Sequence, residues 1–180
     1  MAIEVEQHGH LRVIKMAGQA STQSFSMAFL PTIADAIDAG LKDPATTAMV
    51  LTGDGRFFSA GADINAFQEA IDSNTAPELI RNLTGVLHPL LMRIRTSSTI
   101  VVAALNGVSA GGGLGLALAC DARVGTPDAR MAASYAGMGL SPDGGTTWLL
   151  PRLVGEQRAP SLLHGQRNLV RGGSPSIRRH

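Results

Sequence analysis

Two runs of small residues mark places where this chain could hold a developing negative charge. These are Phe58-Ser59-Ala60-Gly61-Ala62-Asp63, opening from Phe57-Phe58, and Asn106-Gly107-Val108-Ser109-Ala110-Gly111-Gly112-Gly113, following the apolar Ile100 to Leu105. The first turn of a helix carries N–H groups without partners inside the helix, and with the helix dipole these favour an anion. Glycine lets a ligand approach such groups, although one glycine loop alone serves equally well as a tight turn or a packing point. Neither run is a nucleotide loop. A dinucleotide fingerprint needs a third glycine three residues after Gly113 or Gly115, where Leu116 and Leu118 stand, and no Gly-Lys-Ser/Thr closes either run. Gly107-Val108-Ser109-Ala110-Gly111 also fits Gly-x-Ser-x-Gly and is followed in order by Asp143 and His164, so a serine hydrolase using Ser109 is a rival reading. That pattern is short, and it leaves the first glycine run unexplained.

Among titratable side chains, Asp143 in Pro142-Asp143-Gly144 has two readings, an acid/base carboxylate or the cap of a helix beginning near Gly144. Asp63 reads as the cap of the helix after Ala62. Tyr135, Phe67, Met138 and Trp148 are candidates for an apolar pocket or equally for the core, and Cys120 reads as a core residue. His8, His10 and His88 lack metal-ligand spacing, so no metal site is expected.

The elements that must position these residues follow from periodicity. Strands are expected at Leu11–Met16, Ala48–Thr52, Ile100–Leu105, Asp121–Val124 and Arg130–Ala132, with Phe57-Phe58-Ser59 resuming after the turn Gly53-Asp54-Gly55. Gly18–Ser24 reads as a loop. Phe29, Ile33, Ile37 and Leu41 predict one amphipathic helix, with Pro31 tolerated in its first turn. Leu79 to Ile94 predicts a longer one from Pro77, kinked before Pro89, and Leu114 to Cys120 a third. Strands alternating with helices at these lengths predict an α/β architecture.

Bulk properties bound the function. The 180 residues, 44% hydrophobic and 16% charged, suit one soluble domain with a substantial core. Apolar runs fall far short of the about 20 residues a membrane helix needs, the first residues lack the pattern of a secretory signal, and one cysteine forms no internal disulfide. A cytoplasmic protein without a membrane partner is expected. The net charge of +1 hides an acidic body and a basic end, since Arg158, Arg167, Arg171, Arg178 and Arg179 follow the last acidic residue, Glu156. These arginines are scattered without a run or an aromatic partner, which argues against nucleic acid.

From about Ile3 to Gln157 the sequence resembles the crotonase superfamily of enoyl-CoA hydratases and isomerases. The resemblance rests on Phe58 to Asp63, on Asn106 to Asp121, on Gly139 to Gly145 and on Leu150-Pro151-Arg152-Leu153-Val154-Gly155, which match separate family motifs. It implies a spiral of repeated ββα units, commonly a trimer or dimer of trimers, acting on acyl-CoA. Coenzyme A would enter as part of the substrate thioester, with no other cofactor required. By position, the N–H groups of Ala62 and Gly112 would form the oxyanion hole, and the backbones of Ala60 and Ile64 would meet the adenine. Phe67, Tyr135 and Met138 would border the acyl group.

The family's hydratases use two glutamates, and the matching positions here are Gly115 and Tyr135. Asp143 stands where some family isomerases hold a single acid/base carboxylate. The resemblance therefore favours enoyl-CoA isomerisation by one aspartate over hydration, with an inactive acyl-CoA-binding fragment as the alternative and Ser109 hydrolase chemistry behind it. The organisation expected is a family-like core at 1–157 and an irregular basic tail at 158–180, in which Pro160 breaks the family's helix. A reading-frame change near Arg158 would account for that tail, leaving the C-terminal helical region missing and apolar surface exposed. Ala17-Gly18-Gln19 also departs from the family's usual Asn-Arg-Pro.

Overall fold

The computed structural model describes residues 2–163 and the backbone of the two-residue strand at 169–170. A hairpin of β1 (Ile3–His8) and β2 (Leu11–Met16), turned at Gly9, leads through the short α1 (Gln19–Thr22) to α2 (Leu30–Lys42). Three units then follow the same plan. The first is β3 (Ala48–Thr52), β4 (Phe57–Ser59), α3 (Ile64–Asp72) and α4 (Ala76–Thr96). The second is β5 (Ile100–Leu105), β6 (Val108–Ala110) and α5 (Gly112–Ala119). The third is β7 (Ala122–Gly125), β8 (Arg130–Ala132), a 3-10 turn at Ala136–Met138 and α6 (Thr146–Val154), after which come α7 (Ala159–Leu163) and β9 (Leu169–Val170).

Each unit gives its first strand to one sheet and its second to another. The larger sheet has the order β1-β2-β3-β5-β7, parallel except for the β1–β2 hairpin. The smaller has the order β4-β6-β8-β9, with β9 antiparallel to β8. This is the expected spiral of ββα units, and every second strand ends beside the start of a helix or turn that can meet a ligand.

Alternation sets the core. Met49 and Leu51 of β3, Val101, Ala103 and Leu105 of β5, and Ile14 and Met16 of β2 turn inward, and the stripes Leu30, Ile33, Ile37 of α2 and Leu83, Leu87, Leu90, Ile94 of α4 join the same buried cluster. The Arg93 guanidinium donates to Asp38 at 2.7 Å and ties α4 to α2. Helix α5 is apolar all round and buried from Gly113 onward, as a helix between two sheets and neighbouring helices must be. A second cluster of Leu114, Leu118, Tyr135, Leu150, Ala159 and Leu163 packs α5 against α6 and α7.

Differences from expectation have physical causes. β1 is exposed from Glu4 to His8, so its apolar signal is weak and only its pairing with β2 makes it a strand. β6 hides inside the second glycine run because three residues between Gly107 and Gly111 carry no periodicity. α1 forms within the expected loop Gly18–Ser24. α4 continues through Pro89 to Thr96 as one helix. The segment expected to be irregular from residue 158 opens with α7, whose Ala159 and Leu163 are buried. Pro160 is its second residue, where the missing N–H would have had no helical partner. The arginines from Arg167 onward, with His164, lie outside the described side chains.

Candidate active site

The two glycine runs meet. Gly61 takes φ +89°, and a Cβ built on it would stand 2.7 Å from the Ala110 carbonyl oxygen and 3.5 Å from the Gly112 nitrogen. Only glycine allows this approach of one main chain to the other. The Phe25 N–H donates to the Gly61 carbonyl at 3.0 Å, which pairs Phe25 with Ala62, and the Phe25 ring lies against Gly112. Asn106, at the head of the second run, clamps the turns beneath. Its Oδ1 accepts from Gly53 N–H at 2.9 Å, and its Nδ2 donates to the carbonyls of Gly55 and Phe57.

Ala62 immediately precedes the cap of α3, and Gly112 is the first residue of α5. Among the described residues neither N–H has a main-chain acceptor. Asp63 Oδ1 accepts from Asn65 N–H at 3.0 Å and Ala66 N–H at 3.5 Å, so this carboxylate is the α3 cap that the sequence led us to expect. Ala60 N–H is committed to the Ser21 carbonyl at 2.8 Å, which leaves its own carbonyl on offer. Ile64 opens α3 at the rim and is 66% exposed.

A cavity of about 580 Å³ opens above these groups. It brings together Ala60, Ala62, Ile64, Phe67, Gly112, Tyr135, Met138 and Asp143, all the residues singled out as site candidates in the crotonase reading. Leu83 and Leu87 of α4, with Leu140, complete an apolar wall, and Asp143 is the only charged side chain among the described residues that line it.

Asp143 does not cap the following helix. α6 starts at Thr146 behind Gly145 with no side-chain cap, while the Asp143 carbonyl accepts from Thr146 N–H at 3.0 Å and from Thr146 Oγ1 at 2.7 Å. The Tyr135 hydroxyl reaches the same carbonyl at 3.4 Å. Tyr135 is buried just past β8, after Ser134 turns the chain at φ +59°, rather than on the strand itself. Burial pushes its phenol well above the ordinary range, and the neighbouring charge of Asp143 adds to the rise. Tyr135 therefore stays protonated and can only donate or accept a hydrogen bond here.

Two candidates are excluded from the cavity. Trp148 is 63% exposed on α6, with the Arg152 guanidinium stacked 3.2 Å over its ring. Ser109 is fully buried opposite Ser59 on the small sheet, and its hydroxyl has no partner among the described residues. A hydrolase nucleophile must be reachable by substrate, and strand alternation hands that position to Ala110 instead. His164 lies outside the described residues.

The sequence reading missed Phe25, Ser134 and the α4 leucines. The helical stripe had marked Leu83 and Leu87 as apolar, but periodicity does not say whether such a face meets a sheet or a cavity. Phe25 carried no signal beyond following a polar loop.

A spiral of ββα units with two convergent main-chain loops over an apolar cavity is the architecture that the resemblance implied, and direct comparison agrees on the family. The Enoyl-CoA hydratase/isomerase family matches residues 6–169, running past Gln157. The chain belongs to this family, the crotonase superfamily. It is 39% identical over 128 residues to the Mycobacterium tuberculosis protein "Probable enoyl-CoA hydratase EchA14", covering 71% of this chain and 48% of that one. It is 34% identical over 139 residues to the 1,2-epoxyphenylacetyl-CoA isomerase of Escherichia coli, covering 77% and 53%. A crystal structure of an enoyl-CoA hydratase from Polaromonas sp. JS666 superposes with TM-score 0.81 at 31% identity, over 94% of this chain and 65% of that one. The chain thus spans about half the length of these two curated relatives.

Proposed function

We propose that this chain handles an acyl-CoA thioester and isomerises an enoyl-CoA through an enolate, with Asp143 as the single acid/base. The observation that carries the reading is the convergence of two unpaired N–H groups and one carboxylate on one apolar cavity. With the thioester oxygen between Ala62 N–H and Gly112 N–H, removal of a proton beside the carbonyl places charge where two fixed donors await it. One such donor typically contributes about 3–4 kcal/mol to the barrier. The Asp143 carboxylate takes the proton from one carbon and returns it to another, moving the double bond with no water added. Tyr135, kept protonated, fixes the main chain of Asp143. The adenine lies at Ala60 and Ile64, and Phe67 and Met138 border the acyl group.

Hydration would ask for a second carboxylate. Asp143 has none beside it among the cavity residues, which supports isomerisation over hydration. A second reading, an acyl-CoA binder without turnover, draws on the length comparison, since the matched part of this chain spans about half of each of these relatives. The acyl-CoA partner and the homo-oligomer rest on family resemblance and the cytoplasmic location on the sequence pattern and its single cysteine, and light scattering of the purified chain tests the oligomer.

Parent chain and Asp143→Asn are assayed with hex-3-enoyl-CoA for isomerisation and crotonyl-CoA for hydration, with coenzyme A binding followed by calorimetry. Isomerisation lost by roughly 100-fold or more in the variant, with binding kept, is the expected result. Binding without turnover in the parent would establish the binder instead, and turnover indifferent to Asp143→Asn would rule out the single-aspartate mechanism.

A further inference from the structure

Helix α5 and the turn that carries Asp143 touch backbone to backbone. A Cβ built on Gly115 would stand 2.6 Å from the Gly144 carbonyl oxygen and 3.2 Å from the Gly144 Cα, closer than side-chain carbons approach main chain. In the other direction, Gly144 at φ +55° lies buried, with Gly115 Cα at 3.6 Å, Leu91 Cδ1 at 3.7 Å and Leu87 Cδ2 at 3.8 Å from its own Cβ position. The turn is therefore seated in the groove between α4 and α5. Asp143, immediately before this seat, has its carbonyl held by Thr146 and Tyr135. Its main chain is pinned from two sides, and the residue lines the cavity beside Tyr135.

We propose that Gly115 is a positioning residue: by having no side chain it lets Gly144 seat against α5, and this sets how far the Asp143 carboxylate reaches into the cavity. The same contact keeps the cavity to one carboxylate, because any side chain at position 115 must first displace the Gly144 backbone. The inference rests on the acid/base reading of Asp143. Added methyl groups in closely packed backbone contacts are absorbed by movement of the softer partner, which here is the turn rather than a buried helix. A displacement of about 1 Å at a reacting group costs on the order of 100-fold in rate.

The test compares the parent chain, Gly115→Ala, Asp143→Asn and the double variant for kcat and KM with hex-3-enoyl-CoA, and for coenzyme A affinity by calorimetry. Gly85→Ala, on the outer face of α4 with open space around its Cβ position, is the helix control. In Gly115→Ala we expect kcat to fall about 100-fold with KM and coenzyme A affinity within about twofold, and no further fall when the change is added to Asp143→Asn. Gly85→Ala leaves kcat at the parent value. Thr146→Val, which deletes one donor to the Asp143 carbonyl without touching α5, gives a smaller fall in kcat that Thr146→Ser restores, so the idea stays testable if Gly115→Ala does not fold. A fall in the double variant equal to the product of the single effects, a folded Gly115→Ala with kcat at the parent value, or, where Gly115→Ala does not fold, unchanged kcat in Thr146→Val overturns the positioning role while leaving Asp143 as the acid/base. An inert parent chain, or an Asp143→Asn variant as active as the parent, overturns the acid/base reading and this inference with it.

Discussion

Gly61 couples the two loops of the candidate site through a single backbone conformation, and its side-chain-free position is what brings Ala62 beside Gly112. Gly61→Ala places a methyl 2.7 Å from the Ala110 carbonyl at a φ that L residues avoid. We expect a loss of roughly 1–3 kcal/mol in urea unfolding and a fall in kcat/KM of about 100-fold, because the N–H pair is pushed apart. Gly9→Ala shares a positive φ but meets open space, so it shows only the strain cost of about 1–2 kcal/mol and no change in turnover. Equal loss of turnover in the two variants would detach Gly61 from the site. The run Phe58 to Asp63 was legible in the sequence as a charge-holding loop, yet its partner was not, because the contact joins residues about fifty positions apart.

At the level of elements, α3 depends on one side chain for its start. Asp63 satisfies two of its first N–H groups, and the helix then carries Ile64 and Phe67 to the cavity. Asp63→Ala is expected to cost about 0.5–2 kcal/mol in chemical unfolding and to raise KM more than it lowers kcat, since it loosens a binding wall rather than the acid/base. Asp63→Asn keeps the acceptor and should recover most of the stability. If Asn and Ala behave alike, the cap bond is not what holds α3. The cap was readable from residue type. α3 itself carried no assigned stripe, and β6 was invisible because a three-residue strand gains its stability from neighbours on both sides rather than from its own pattern.

For the molecule as a whole, Cys120 reports folding. It is 1% exposed at the end of α5, its thiol donates to the Leu116 carbonyl at 3.3 Å, and burial pushes it up from 9.0 to about 12. The folded chain at pH 8 should resist a thiol reagent and become labelled only as it unfolds, so that labelling tracks the urea transition. The sign of the linkage follows from the raised value. Below pH 9 the thiol is neutral in both states and its contribution is intact. Above it the unfolded thiol ionises first, and stability is lost as the pH climbs toward 12. Cys120→Ala should flatten that alkaline limb in part, since Tyr135 and Lys15 are shifted in the same direction. Rapid labelling of the folded chain at pH 8 would contradict the buried placement.

The sequence by itself determined the strand and helix periods, the α/β class, the Asp63 cap and the two glycine runs, because each depends on residue types within a few positions of one another. Its motifs also placed the chain in its family. Only the tertiary structure decided that the two runs abut at Gly61 and Gly112, that Ser109 is buried while Asp143 borders the cavity, and that Trp148 lies on the surface. Only it could show Gly115 in contact with Gly144. These depend on which faces of distant elements are brought together, and side-chain direction on a packed strand or helix is fixed by neighbours the local pattern does not name.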